Sequence, residues 1–214
     1  KNCKFSNKIK NFINKKSQKF YYVESRKMKE KIPKKFFKFT YDYIFCFRSF
    51  YILKKNLLQK VRTAAINFHP SPPEYRGSGG INYALYNESK FFGSTAFLIN
   101  EKIDNGNIID LKRFKIDKNS NIEKILFKTY GVTTNQAFFV INKTIENPKN
   151  LKNLIQKNKK NKWSKKIKTI KDLNKFYEID RNISKKKFLK KMRATYTSKF
   201  KPFIFLYGKK FIPE

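Results

Sequence analysis

Cysteine, histidine and acidic residues are all scarce in this chain of 214 residues. The only cysteines, Cys3 and Cys46, lie in different segments without a CxxC pair or a Cys/His cluster, so neither a disulfide framework nor a zinc site is supported. Apolar runs are short: the longest, Tyr41 to Leu53, is broken by Arg48 and falls well below a membrane-spanning length. The amino end has no signal-like apolar core. These absences predict a soluble, cytoplasmic chain without a membrane partner. Fifteen acidic residues face 51 basic ones, for a formal charge of +36, which invites a nucleic-acid or anionic-surface reading. Arginine is nevertheless rare. Seven of the 51 are Arg (26, 48, 62, 76, 113, 181 and 193) and 44 are Lys. Recognition of phosphates and bases favours Arg forks, whereas Lys scattered through every segment reads as a solvated surface that happens to be basic.

What is present is an apolar and aromatic complement of 40% and 17%, with 23 Phe and 12 Tyr. That suffices for one main core. Ser6 to Ile13 spaces Ile9, Phe12 and Ile13 at helical intervals, and Phe20 to Val23 reads as a short strand. Tyr41 to Phe47 and Ala64 to Phe68 are buried-type strands. A helix is expected over Ile81 to Tyr86, and strands over Gly93 to Ile99 and Ile108 to Ile116. Ser120 to Glu123 spells a capping box that opens a long helix to about Ile145. Helical patches alternating with short apolar runs predict a parallel sheet covered by helices. Asn147 to Lys162 reads as a linker, followed by a helix from Ser184 to Arg193 and a hairpin around Gly208.

In sheets of that kind ligands gather at the carboxyl ends of strands, and the Ala64 to Phe68 strand runs directly into His69 to Gly80, HPSPPEYRGSGG, with three prolines and three glycines. The chain's one histidine opens this loop, two residues after Asn67. Residues at i and i+2 of a strand share a face. An amide able to donate to a developing oxyanion and an imidazole able to move a proton are thus presented together. Taken alone, a lone His beside Pro is more often a hydrogen-bonded loop residue than a catalyst, and Asn67 reads as a loop cap and Asp104 as a turn former.

INFHPSPPEYRG, the Gly93-Ser94-Thr95 strand and the Asp104-Asn105-Gly106 turn, with the Asp 35 residues beyond the His, together resemble the signature of folate-dependent formyltransferases. The resemblance implies an α/β, Rossmann-like, mostly parallel sheet covered by helices, with a small carboxy-terminal α+β appendage. It divides the chain into a catalytic domain over 1–146, a linker over 147–162 and a subdomain over 163–214. The first strand expected of the family lies before Lys1, so the chain reads as truncated. Formyl transfer from 10-formyltetrahydrofolate to a primary amine is implied, with Asn67, His69 and Asp104 as the catalytic trio and no metal. Donor contacts map onto Tyr51, Ile52 and Leu53 and onto Asn100, Glu101, Lys102 and Ile103, although Ile52 and Leu53 also suit a core. Acceptor contacts map onto Ser71, Tyr75, Arg76 and Gly77, with loop bracing the other reading of Arg76 and core packing that of Tyr75.

The resemblance implies two acceptor classes. Methionyl-tRNA formyltransferases carry a sizeable carboxy-terminal barrel, for which Asn147 to Glu214 leaves little room. The tail from Trp163 to the Phe203 to Ile212 hairpin looks like that of sugar N-formyltransferases, which favours a nucleotide-linked amino sugar, and the hairpin offers an edge for a homodimer. The alternatives are tRNA, which the charge would attract, and a noncatalytic nucleic-acid-binding role without a visible RNA-binding motif.

Overall fold

The computed structural model describes residues 3–16, 19–27, 30–101 and 104–213. Helix α1 (Lys4–Lys16) turns Ile9 and Ile13 inward, as their spacing requires. Strand β1 (Tyr41–Phe47), the single-turn α2 (Lys55–Leu58) and β2 (Val61–His69) form a crossover unit, and β1 pairs parallel with β2 from Tyr41↔Val61 to Phe47↔Phe68. After α3 (Gly80–Tyr86), strand β3 (Phe91–Leu98) pairs antiparallel with β2, and β4 (Ile108–Lys115) antiparallel with β3. The sheet order is β1-β2-β3-β4.

The expected α/β layering is there, with the strand directions mixed. Only β1 and β2 run parallel. Residues 99–107 are all that join β3 to β4, fewer than the dozen or so that a parallel crossover needs. Phe20 to Val23, expected as a strand, lies outside the sheet. Its residues are used as side chains instead: Phe20 packs on the main core and Tyr21 stacks on Phe39 at 4.7 Å.

Helix α4 (Ile122–Glu146) covers one sheet face. Its Ala137, Val140 and Ile141 meet Ala64, Ile66 and Phe68 of β2, Ala96 of β3 and Ile109 of β4, and Ile9 and Ile13 of α1 close the cluster. Gln136 is buried in that layer with its polar atoms used. Its amide donates to the Asp110 carbonyl (3.0 Å) and carboxylate (2.9 Å), and its oxygen accepts from the Ser94 hydroxyl (2.6 Å). The helix is capped one residue later than the sequence suggests, by Asn121, whose side chain accepts from the Lys124 N–H at 2.9 Å. Glu123, expected to complete the box, accepts instead from the backbone and hydroxyl of Ser198.

The stretch read as a linker holds helix α5 (Lys149–Asn158), which buries Leu151 and sends the Asn158 amide to the Ile109 carbonyl at 2.8 Å. Leu151, Leu154 and Ile155 recur at helical spacing on its inner side. Beyond it lie α6 (Ile170–Phe176), opened by a full capping box between Thr169 and Asp172, and α7 (Lys185–Thr195), whose Ala194 packs on α3. Strands β5 (Ile204–Leu206) and β6 (Lys209–Phe211) form the expected hairpin, with Tyr207 and Gly208 both at positive φ (48° and 75°), the pattern of a two-residue primed turn. Among the described residues no helix is long and apolar enough to cross a membrane.

Two substitutions on α4 are expected to act in opposite directions in urea unfolding. Ile141→Ala, at a fully buried position, loses about 2–5 kcal/mol. Gly131→Ala, where an added Cβ meets nothing within 4 Å, gains about 1 kcal/mol of helix propensity.

Candidate active site

The side-chain alternation of β2 divides its residues between two environments. Ala64, Ile66 and Phe68 face the α4 layer. Ala65, Asn67 and His69 point to the other face, opposite Phe97 and Thr95 of β3. Asn67 and His69 are therefore neighbours on one face, roughly 7 Å apart along the strand.

Asp104 reaches this face through a tight fold of the 99–107 loop. The Leu98 N–H donates to the Asn107 carbonyl (3.0 Å) and the Ile99 N–H to the Ala65 carbonyl (2.8 Å). Asp104 sits at φ 43°. Gly106 permits the closure, since a Cβ there would lie 1.5 Å from the Leu98 carbonyl oxygen. The result places Asp104 Oδ2 3.9 Å from His69 Nδ1, with the two side chains only 13% and 11% exposed. That separation is an electrostatic contact, longer than a hydrogen bond.

His69 Nε2 is buried and has no hydrogen-bond partner among the described residues. Burial depresses the imidazole pKa below the ordinary 6.5, opposed by the Asp104 charge and the Tyr75 backbone. The ring is thus neutral at pH 7, and the carboxylate beside Nδ1 favours the tautomer that leaves the lone pair on Nε2. Linkage has a sign set by the same depression. The unfolded chain takes up its proton near 6.5 and the folded chain only at lower pH, so stability is lost as pH falls from about 6.5 toward the depressed value.

The loop after His69 is braced from within. The Ser71 hydroxyl donates to the Tyr75 carbonyl (2.9 Å), and the Thr95 hydroxyl to the Ser71 carbonyl (2.8 Å). The Tyr75 hydroxyl bonds the Ser89 hydroxyl, and its ring lies 6.1 Å from Phe92. Of the residues mapped to an acceptor, Ser71 and Tyr75 are thus engaged in bracing the loop on itself and on neighbouring elements. Gly77, at φ 88°, passes so close to the tail that a Cβ would meet the Lys168 carbonyl oxygen at 2.2 Å. The Arg76 carbonyl accepts from the Lys168 N–H at 3.0 Å, and its side chain is half-buried.

Of the donor-mapped residues, Leu53 lies beside Ala65. Leu53 is buried with Cys46, Leu57 and Ala65, and Ile99 packs against the same cluster. Ile52 is 64% exposed, and the Tyr51 hydroxyl donates to the Glu24 carbonyl at 2.9 Å. Asn100 and Glu101 are exposed at the start of the Asp104 loop. Lys102 and Ile103 lie outside the described residues. Among the described residues no group of three or more His, Cys, Asp or Glu is placed to hold a metal ion.

Sequence reasoning missed Trp163 as a site residue. Its indole N–H donates to the Gly106 carbonyl at 2.8 Å, and its ring lies 5.0 Å from Phe97 and 6.1 Å from His69. The available signal was that the chain has one tryptophan, set in a Lys- and Asn-rich stretch.

This fold is shared with solved N-formyltransferases. A sugar N-formyltransferase from a Shewanella species superposes with a TM-score of 0.61 at 19% identity, covering 80% of this chain and 68% of that one. An N-formyltransferase from Helicobacter canadensis, solved with folinic acid and dTDP-3-aminofucose, gives 0.54 at 20% identity, covering 77% and 58%. Residues 2–140 match the family model described as formyl transferase, and the chain belongs to that family. Among curated relatives, the methionyl-tRNA formyltransferase of Finegoldia magna is 29% identical over 97 residues, 45% of this chain and 30% of that protein. The bifunctional polymyxin resistance protein ArnA of Wigglesworthia glossinidia brevipalpis is 31% identical over 105 residues, 49% and 15% respectively. The match thus spans under a third of the length of these relatives.

With one histidine, the imidazole titration is read directly by proton NMR. Its midpoint is expected below 6.5, and Asp104→Asn, by removing the charge that favours the imidazolium, is expected to lower it further. A rise would contradict the electrostatic role assigned to Asp104.

Proposed function

We propose that the chain transfers a formyl group from 10-formyltetrahydrofolate to a primary amine, and that the acceptor is an amino group of a nucleotide-linked sugar. The observation that carries the reading is a buried imidazole whose Nε2 has no hydrogen-bond partner among the described residues, set beside Asp104 and on one strand face with Asn67. Formyl transfer needs an unprotonated amine, a stabilised tetrahedral oxyanion and a proton for the departing nitrogen. His69 Nε2 takes the amine proton as the new C–N bond forms. The Asn67 amide donates to the oxyanion. Asp104 stabilises the imidazole when it is charged, and the Tyr75 backbone helps to orient the ring. The proton then passes from His69 to N10 as the old C–N bond breaks, leaving tetrahydrofolate and a formamide. Tyr51 to Leu53 and the start of the 99–107 loop flank β2 where the donor would lie. Trp163 helps to exclude water from the imidazole.

The sugar acceptor is supported by the fold likeness to sugar N-formyltransferases, which covers four-fifths of the chain, and by a tail of short helices and a hairpin. The tRNA reading draws on the curated relatives and on the charge of +36.

The test is tetrahydrofolate release from 10-formyltetrahydrofolate, with nucleotide-linked amino sugars and methionyl-tRNA offered in parallel. Turnover with a sugar nucleotide is expected, falling about 10²–10⁴-fold in His69→Ala. kcat/KM is expected to rise with pH through an acid limb centred below 6.5, because neutral His69 is the working form. Turnover with tRNA alone would replace the acceptor. Unchanged activity in His69→Ala would remove the mechanism.

A further inference from the structure

We propose that Trp163 is a positioning residue, a tether from the tail that holds the Asp104 loop against His69. Two loops bear the site, and neither is held by the sheet alone. One segment, residues 163–168, grips both. On the Asp104 side the Trp163 indole N–H donates to the Gly106 carbonyl, two residues beyond Asp104, at 2.8 Å. On the His69 side the Ser164 N–H donates to the Pro73 carbonyl (3.0 Å), the Lys168 N–H to the Arg76 carbonyl (3.0 Å), and the Ser78 N–H to the Lys168 carbonyl (2.7 Å). The Trp163 ring also packs edge-on against Phe97, the cross-strand partner of Asn67.

Closure of the 99–107 loop depends on a close approach of Gly106 to Leu98, and its apex at Asp104 has a positive φ. A loop in that conformation needs restraints to hold Asp104 in place. A directional hydrogen bond to the Gly106 carbonyl supplies one from outside the loop. Because Asp104 lies 3.9 Å from His69, at electrostatic rather than hydrogen-bond distance, nothing in that pair itself fixes the separation. Among the described residues Asp104 is the charged group acting on His69, with the Tyr75 backbone beside it. A change in the tether is therefore read through one partner.

Trp163→Phe keeps a ring on Phe97 and removes the donor. As the Asp104 loop loosens, the His69 midpoint in the NMR titration is expected to fall. The shift is expected to vanish in an Asp104→Asn background, the mark of an effect that travels through Asp104. kcat for formyl transfer should drop about 10–100-fold with the donor KM unchanged, the size of effect a displaced catalytic group produces. The kinetic part rests on the formyl-transfer reading, whereas the titration does not. A shifted titration in a wild-type background that shows no turnover would keep the tether and discard that reading. A titration unchanged by Trp163→Phe in a cooperatively folded protein, or an equal shift with and without Asp104, would overturn the tether. Should Trp163→Phe unfold, Trp163→Tyr carries the same comparison.

Discussion

Among the described residues His69 Nε2 is a buried polar atom with no hydrogen-bond partner. The packing and register of β2 determine where that atom points. β2 runs with one face sealed: Ala64, Ile66 and Phe68 are packed under α4, and a slip of one residue would drive Asn67 and His69 into that layer. The register with β1 and β3 is thus what keeps the imidazole on the open face at the strand's last residue. The same packing that stabilises the domain sets the direction in which its least satisfied atom points.

The second constraint is how loops from distant parts of the chain come close enough to build a site. Both solutions use glycine where a side chain would collide with a carbonyl oxygen, Gly106 against Leu98 and Gly77 against Lys168. The first folds the Asp104 loop back over its own strand. The second lets the tail run beside the proline-rich loop and exchange backbone hydrogen bonds with it on both sides of Gly77. Residues 163–168 are consequently structural members of the site although they lie past two helices from the sheet.

Much of this was legible from the residues. Period-2 alternation placed Asn67 and His69 on one face, and apolar runs located β1 to β4 and α4 to within a few residues. The pairing of Asp104 with His69 was not derivable from spacing, because it depends on a loop that reverses over the sheet, and it entered through resemblance to a family. Strand directions were misread because two antiparallel steps come after the crossover unit. Lys and Asn hid α5: its Leu151, Leu154 and Ile155 are correctly spaced, but seven of its ten positions are Lys, Asn or Gln. Trp163 stood out as the one tryptophan, but its place in the site was not legible. Its partners are a backbone carbonyl and rings that only the fold brings near.

The charge imbalance gives the few acids distinct structural uses. Glu74 pairs with Arg113 and Glu88 with Lys190, joining the proline-rich loop to β4 and the end of α3 to α7. Asp172 closes the cap of α6, Glu123 holds Ser198, and Asp110 completes the Gln136 network. The exposed pairs among them contribute little stability, and in a chain with 44 Lys they select which segments meet. Asp104 differs from them in being almost buried and in facing no Lys or Arg ion-pair partner among the described residues. An acid placed there in a strongly basic protein acts on the one neighbouring group able to share a proton with it. Under the proposed mechanism this makes its distance from His69, rather than the net charge of the surface, the quantity on which the chemistry turns.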